Sequence, residues 1–453
     1  MKRLVAVSLI AVFAALRVVR AEPFKDGETV CFIGDSITHG GPYHAFIRAY
    51  YLTRFPDQTI QFVNAGTSGE TAGGGAARFD EDVLPYRPTS AVVMFGMNDV
   101  NRGAYVANPD EKKLAAQKQA LDGYQKNMEK LVERIQKEAG NPKLLFITPS
   151  PYDDTVVTEQ DNNQPGCNHG LGRCADIVRE LASKNNATLV DFHGPMTAFN
   201  LEQQKKDPKY TIVEPGRVHP GAPGHLMMAW LFLKAQGAPS VVSTITVDAA
   251  TGRALERANA EVTAVAKKAG GVSFTVLEKA LPFPIHPKAK ELLELLPIEK
   301  DLNQEMLFVS GLATGRYELK IDGAAVGQYS AEALAKGINL AFNGATPQYK
   351  QAQRVFWKNE EYWRSQQQKR NLVTLRWYMK NRLHIDVDNL EAVQAYYDKI
   401  PVKKNNWGAG MTLNYIKNWS RLSEIEKQSE TLWTELDPLR KPVAHLYEIG
   451  EVR

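Results

Sequence analysis

Between Glu28 and about Gly237, short apolar runs of β character alternate with segments of helical periodicity. This alternation restricts the fold more than any other feature of the 453-residue chain. Strands are predicted at Thr29–Gly34, Ile60–Asn64, Ala91–Phe95, Leu144–Thr148 and Thr188–Phe192. Several are apolar nearly throughout, as strands covered on both faces must be. Between and after them, His44–Phe55, Glu111–Ala139, Leu171–Asn185 and Gly224–Leu233 carry apolar residues at helical spacing. Alternating β and α segments predict an α/β fold, a three-layer α/β/α domain over 22–237 with a parallel sheet between helices. Ligands of such sheets bind beyond the C-terminal strand ends, so candidate residues are sought there.

After Gly237 the texture changes. Val241–Val247, Val272–Leu277, Met306–Val309 and Tyr317–Ile321 read as strands, and Asp322-Gly323 is a hairpin turn signal. They predict a small β-rich module over 238–345, with Pro282, Pro284 and Pro287 marking a loop within it. From 346 to 453 the chain reads as a helical region, where Leu372, Leu375, Met379 and Leu383 step by three and four. Six of the seven tryptophans, Trp357, Trp363, Trp377, Trp407, Trp419 and Trp433, fall here. In helices such residues are mostly core, and stacking on a sugar ring is their alternative use.

The first 21 residues are of another kind. Lys2 and Arg3 precede the run Leu4–Leu16, broken only by Ser8, and Val19-Arg20-Ala21 offers a small-x-small cleavage site. This is the layout of a signal peptide, which predicts a secreted or periplasmic protein, with an uncleaved N-terminal anchor as the alternative. The run is shorter than the ~20 residues that span a bilayer, and no later stretch predicts stable membrane insertion. Lys2, Arg3, Arg17 and Arg20 account for the whole net charge of +4. The slight basicity therefore belongs to the export signal, and no nucleic-acid partner is expected. Export would permit a disulfide between Cys167 and Cys174 only if Cys167 precedes the helix carrying Cys174. Cys31, in an apolar strand, reads as a buried free thiol, and no Cys/His set has zinc-site spacing.

The predicted strand ends carry the polar residues. The first runs into Gly34-Asp35-Ser36, the second into Asn64-Ala65-Gly66-Thr67-Ser68-Gly69-Glu70-Thr71, and the third into Gly96-Met97-Asn98-Asp99. Val218-His219-Pro220 stands near the end of the domain. Gly-Asp-Ser, a Ser-Gly-x-Thr turn, Gly-x-Asn-Asp and a late His-Pro, in this order, resemble the SGNH (GDSL-like) hydrolase family over about residues 28–237. The resemblance implies a flavodoxin-like SGNH fold, with Ser36 as nucleophile and His219 as general base. The N–H groups of Ser36 and Gly69 and the amide of Asn98 would form an oxyanion hole, Gly69 being preferred to Gly66 for its place before x-Thr. Serine is a weak nucleophile without a base in reach, and donors aimed at a developing oxyanion are worth ~3 kcal/mol each. Gly73-Gly74-Gly75 reads as a flexible loop beside the cleft, since no Lys-Ser/Thr pair makes it a phosphate cradle.

One position departs from the family pattern. An aspartate usually stands three residues before the histidine; here that residue is Gly216, within Glu214-Pro215-Gly216-Arg217-Val218-His219. Three accounts stay open: Glu214 orients the imidazole, a Ser36–His219 dyad works with a backbone carbonyl or water, or catalysis has been lost. The resemblance and the export signal together lead to a secreted serine esterase. It would remove short acyl groups, acetyl foremost, from a small-molecule or polysaccharide ester of carbohydrate, with no cofactor or metal. The alternatives are a catalytically impaired carbohydrate-binding protein and a lipase- or thioesterase-like SGNH enzyme.

Overall fold

A computed structural model describes residues 22–452, apart from Asn405 and the side chain of Trp407; the expected export signal lies outside the described residues. Five strands, β1 (Thr29–Gly34), β2 (Gln61–Gly66), β3 (Ser90–Met94), β4 (Lys143–Ile147) and β5 (Thr188–Val190), form one parallel sheet in the order β2-β1-β3-β4-β5. Every residue of β3 is buried, and β1 is buried from Val30 onward, which explains their apolar sequences. Helices Pro42–Arg54 and Ala222–Ala235 pack on each other, as do Glu111–Glu138 and Cys167–Lys184. The sheet lies between the two pairs, giving the expected three layers. Strand order reverses between β1 and β3, so a crevice opens beyond their C-terminal ends.

Two local expectations are corrected. Cys167 is the first residue of the helix Cys167–Lys184, which also carries Cys174. Both thiols are buried and free, because seven residues of helix separate them by ~10 Å, beyond disulfide reach. The triple glycine is not a loop: it lies inside the helix Ala72–Ala77, capped by the Thr71 side chain on the Gly74 N–H. A Cβ at Gly74 would collide with the Glu70 carboxylate and one at Gly75 with the Phe95 ring, so the glycines serve close packing.

Beyond the α/β domain, β6 (Val241–Asp248), β7 (Arg253–Ala258), β8 (Ala260–Lys268), β9 (Gly271–Glu278), β10 (Gln304–Ser310), β11 (Arg316–Ile321), β12 (Ala324–Ser330) and β13 (Ile338–Asn339) build two sheets. The predicted hairpin joins β11 to β12, and Asp322 (φ 51°) and Gly323 (φ 77°) adopt the two left-handed conformations of such a turn. The helical region ends before the chain does. β14 (His445–Glu451) returns and inserts between β9 and β11, antiparallel to both, with Tyr447 and Ile449 in the module's core. Its alternation exposes only two large apolar residues to the inside, too short a signal to stand out after a long helical stretch.

The helix Pro347–Arg382 runs 36 residues, started by a Thr346 cap and Pro347 at its first position. It packs along Leu422–Leu439 and lies across the α/β domain. There the Asn359 side chain donates to the Ala45 carbonyl at 3.0 Å and accepts from Arg48, all three buried.

Candidate active site

Ser36 sits where β1 gives way to the short helix Ser36–Gly40. Asp35 caps that helix, its carboxylate accepting the Ile37 N–H at 2.9 Å. Burial pushes the Asp35 carboxyl up to about 6, against that hydrogen bond. A Cβ at Gly34 would run into the Met94 carbonyl of β3 and the Thr38 side chain, so glycine is required where the chain turns. The Ser36 Oγ lies 2.9 Å from the His219 Nε2.

His219 is held by a tight turn. Val213 bridges Pro220, the Glu214 N–H donates to the His219 carbonyl at 2.8 Å, and the Arg217 N–H donates to the Glu214 carbonyl at 2.7 Å. Arg217 takes a left-handed φ of 64°, and its buried guanidinium donates to the carbonyls of Asp153 and Val156 and to the Asn162 Oδ1. That anchorage fixes the turn to the loop after β4. Loss of hydration lowers the His219 pKa below its ordinary 6.5, the Glu214 charge raises it, and the Arg102 charge lowers it. The residue keeps access to solvent. Glu214 is exposed, and its carboxylate accepts no hydrogen bond among the described residues, from His219 or any other group. Gly216 has open space around its Cβ position and no left-handed φ.

The turn after β2 brings Gly69 to the same crevice with φ 77°, a conformation that other residues rarely adopt. The N–H groups of Ser36 and Gly69 donate to no protein acceptor among the described residues. Gly66 has a different duty: it ends β2 in register with Gly34, and its carbonyl is engaged elsewhere. Asn98, past the end of β3, donates one amide hydrogen to the Glu70 carbonyl at 2.9 Å and accepts from Arg102 at 3.1 Å. This fixes which way the amide faces and leaves a second N–H hydrogen for a ligand. Asp99 ties the loops together by accepting the Ala72 N–H at 2.9 Å and the Gly96 N–H at 3.1 Å; burial pushes its carboxyl up to about 7.

Three arginines of this site carried no signal in the motifs. Arg102 and Arg217 stand beside motif residues, but only the fold reveals their partners. Arg370 comes from the helix Pro347–Arg382, 304 positions from Gly66, and donates through Nε to the Gly66 carbonyl at 2.9 Å and through Nη2 to the Thr67 Oγ1 at 2.9 Å. Its two terminal nitrogens clasp Asp82 at 2.7 Å each, and Arg78 pairs with both Asp82 and Glu70. The buried guanidinium thus pins the segment that leads into Gly69. Among the described residues, no group of three His, Cys, Asp or Glu is placed to hold a metal ion.

Residues 32–227 match the GDSL-like lipase/acylhydrolase family. The chain is 31% identical to a gut microbial diltiazem-metabolizing enzyme of known structure, over 96% of this chain and 99% of that one, with a TM-score of 0.87. It belongs to the SGNH (GDSL-like) hydrolase family. A curated relative within this family of ester hydrolases is an acetylxylan esterase from Geobacillus stearothermophilus, 27% identical over 47% of this chain and 94% of its own. A structure of an acetylxylan esterase from the same organism aligns over 47% of this chain and 95% of its own at 28% identity, with a TM-score of 0.37. The resemblance to the diltiazem-metabolizing enzyme extends through the β module and the helical region as well as the α/β domain.

Proposed function

We propose that this SGNH hydrolase is an exported serine esterase that removes short acyl groups, acetyl foremost, from carbohydrate esters. The observation that carries the reading is the 2.9 Å approach of the Ser36 Oγ to the His219 Nε2, beside two uncommitted backbone N–H groups. In the reaction, the Oγ attacks the ester carbonyl carbon while its proton passes to Nε2. The negative charge on the former carbonyl oxygen meets the N–H groups of Ser36 and Gly69 and the free amide hydrogen of Asn98. The tetrahedral adduct collapses, the C–O bond to the alcohol breaks, and the alkoxide leaves with the proton from Nε2. Water then attacks the acyl-serine through the same base, releasing the acid and restoring Ser36.

The mechanism works as a dyad. Among the described residues no carboxylate is hydrogen-bonded to His219; Glu214 acts on the imidazolium through space across solvent, which makes it a weak substitute for a bonded aspartate. The acetylxylan esterase relative supports the acetyl-carbohydrate choice, and the layout of Met1–Ala21 supports export.

The test is acetate release from 4-nitrophenyl acetate and from acetylated xylosides by the mature chain beside Ser36→Ala. Ser36-dependent turnover of both is expected. Turnover of neither above the Ser36→Ala background overturns the esterase reading, and xyloside binding without turnover would make the chain a carbohydrate-binding protein. N-terminal sequencing of protein exported from a bacterial host should begin at Glu22.

A further inference from the structure

We infer that His39 is a positioning residue of the hydrolysis, fixing the oxyanion donor Gly69 relative to the nucleophile Ser36. This rests on the serine-esterase reading and adds the residue that sets the distance between two of its groups. Ser36 and Gly69 come from different strand ends. The oxygen of the attacked carbonyl must meet the Gly69 N–H at ~3 Å while its carbon meets the Ser36 Oγ. The pairing of Gly34 with Gly66 aligns β1 with β2. Gly69 lies beyond that pair, on a turn where it takes a left-handed φ of 77°, so the sheet alone does not fix it. A local tie is needed.

The short helix that starts at Ser36 also carries His39. The His39 Nδ1 accepts the Ser68 N–H at 3.1 Å and the Ser68 hydroxyl at 2.9 Å. Among the described residues these are the only hydrogen bonds of Ser68, whose Cα begins the peptide unit that bears the Gly69 N–H. The backbone of His39 is held on both sides. Its N–H donates to the Asp35 carbonyl at 2.9 Å, and its carbonyl accepts from the Asn64 Nδ2 at 2.9 Å. A Cβ at Gly66 would strike the His39 backbone, so glycine permits this approach. The His39 residue is 3% exposed, and burial, with the charges of Arg370 and Arg78, lowers its pKa to about 3. The ring is therefore neutral near pH 7, with its proton on Nε2 and Nδ1 free to accept. An apolar side chain here would leave the Ser68 N–H without its partner, and the turn would shift to find another.

The experiment measures kcat and KM on 4-nitrophenyl acetate and the Ki of ethylboronic acid, whose tetrahedral adduct with Ser36 puts an oxygen where the oxyanion forms. His39→Leu removes the acceptor, His39→Gln moves it toward the place of Nε2, and His39→Asn keeps it near the place of Nδ1. The Leu and Gln variants should lose about 10–100-fold in kcat with KM within about twofold of wild type, and bind the boronic acid about tenfold more weakly. His39→Asn should stay within about threefold of wild type in kcat and Ki. Should His39→Leu fail to fold, the contrast between Asn and Gln decides. Wild-type kcat in the Leu or Gln variant, or a loss carried by KM, overturns the inference. So does an equal loss in His39→Asn, which would make His39 a packing residue only. Ser36-dependent turnover by wild type reports separately on the esterase reading.

Discussion

The crevice at the end of the sheet has two walls of different origin. The α/β wall carries every group of the proposed mechanism: Ser36 after β1, Gly69 after β2, Asn98 after β3 and His219 on a late turn. The helical wall carries none of those groups, yet it places Arg370 against the Gly66 carbonyl and the Thr67 hydroxyl. Reactivity follows from strand ends that one sheet brings to a common edge. The anchorage of the Gly69 segment follows from a helix that arrives 304 positions later.

That division is tested most severely at Ser36. Ser36→Ala should lower kcat by at least about 10⁴-fold, whichever ester is used, because the dyad has no second nucleophile. Asn98→Ala should cost about 10²–10³-fold in kcat with little change in KM, since its hydrogen bond strengthens only as the oxyanion forms. Steady-state kinetics on 4-nitrophenyl acetate reads both.

On the helical side, Arg370→Ala should lower kcat about tenfold and unfolding stability by about 1–3 kcal/mol. Arg78 still pairs with Asp82 in that variant, so the cost stays below that of a fully orphaned buried charge. Denaturant unfolding alongside kinetics checks it. A loss of stability with unchanged kcat would show the helical wall to be scaffold alone.

The smallest effects concern His219. Its pKa is lowered by desolvation, and it accepts the serine proton only when neutral. The kcat/KM profile should therefore hold below the ordinary histidine range and fall at lower pH. Removing the nearby negative charge by Glu214→Gln takes away a raising influence, so the acidic limb should move further down, with little change on the plateau. Gly216→Asp has room for its side chain and unstrained backbone. It should move the limb up and raise kcat several-fold, in line with the ordinary role of a bonded carboxylate.

The parallel sheet was legible because strands buried on both faces must be apolar, and the strand-end motifs were legible because turns at a crevice require particular small and polar residues. Gly34 and Gly69 illustrate the point: one is dictated by a neighbouring backbone, the other by its own φ. The triple glycine misled for a related reason. Glycine disfavours helix in isolation, but the Glu70 and Phe95 side chains leave no room for a Cβ, and packing overrides propensity. β14 escaped notice because a strand of seven residues gains its stability from two neighbours distant in sequence.

By itself, then, the sequence determined the layers of the α/β domain, the family and the strand ends that carry the candidate residues, all consequences of local periodicity and turn chemistry. Only the tertiary structure decided that no carboxylate among the described residues bonds His219, that Cys167 and Cys174 stay apart, and that Arg370 braces the segment leading into Gly69. Those are relations between side chains tens to hundreds of residues apart, fixed by which surfaces must be buried together and carried by no pattern along the chain.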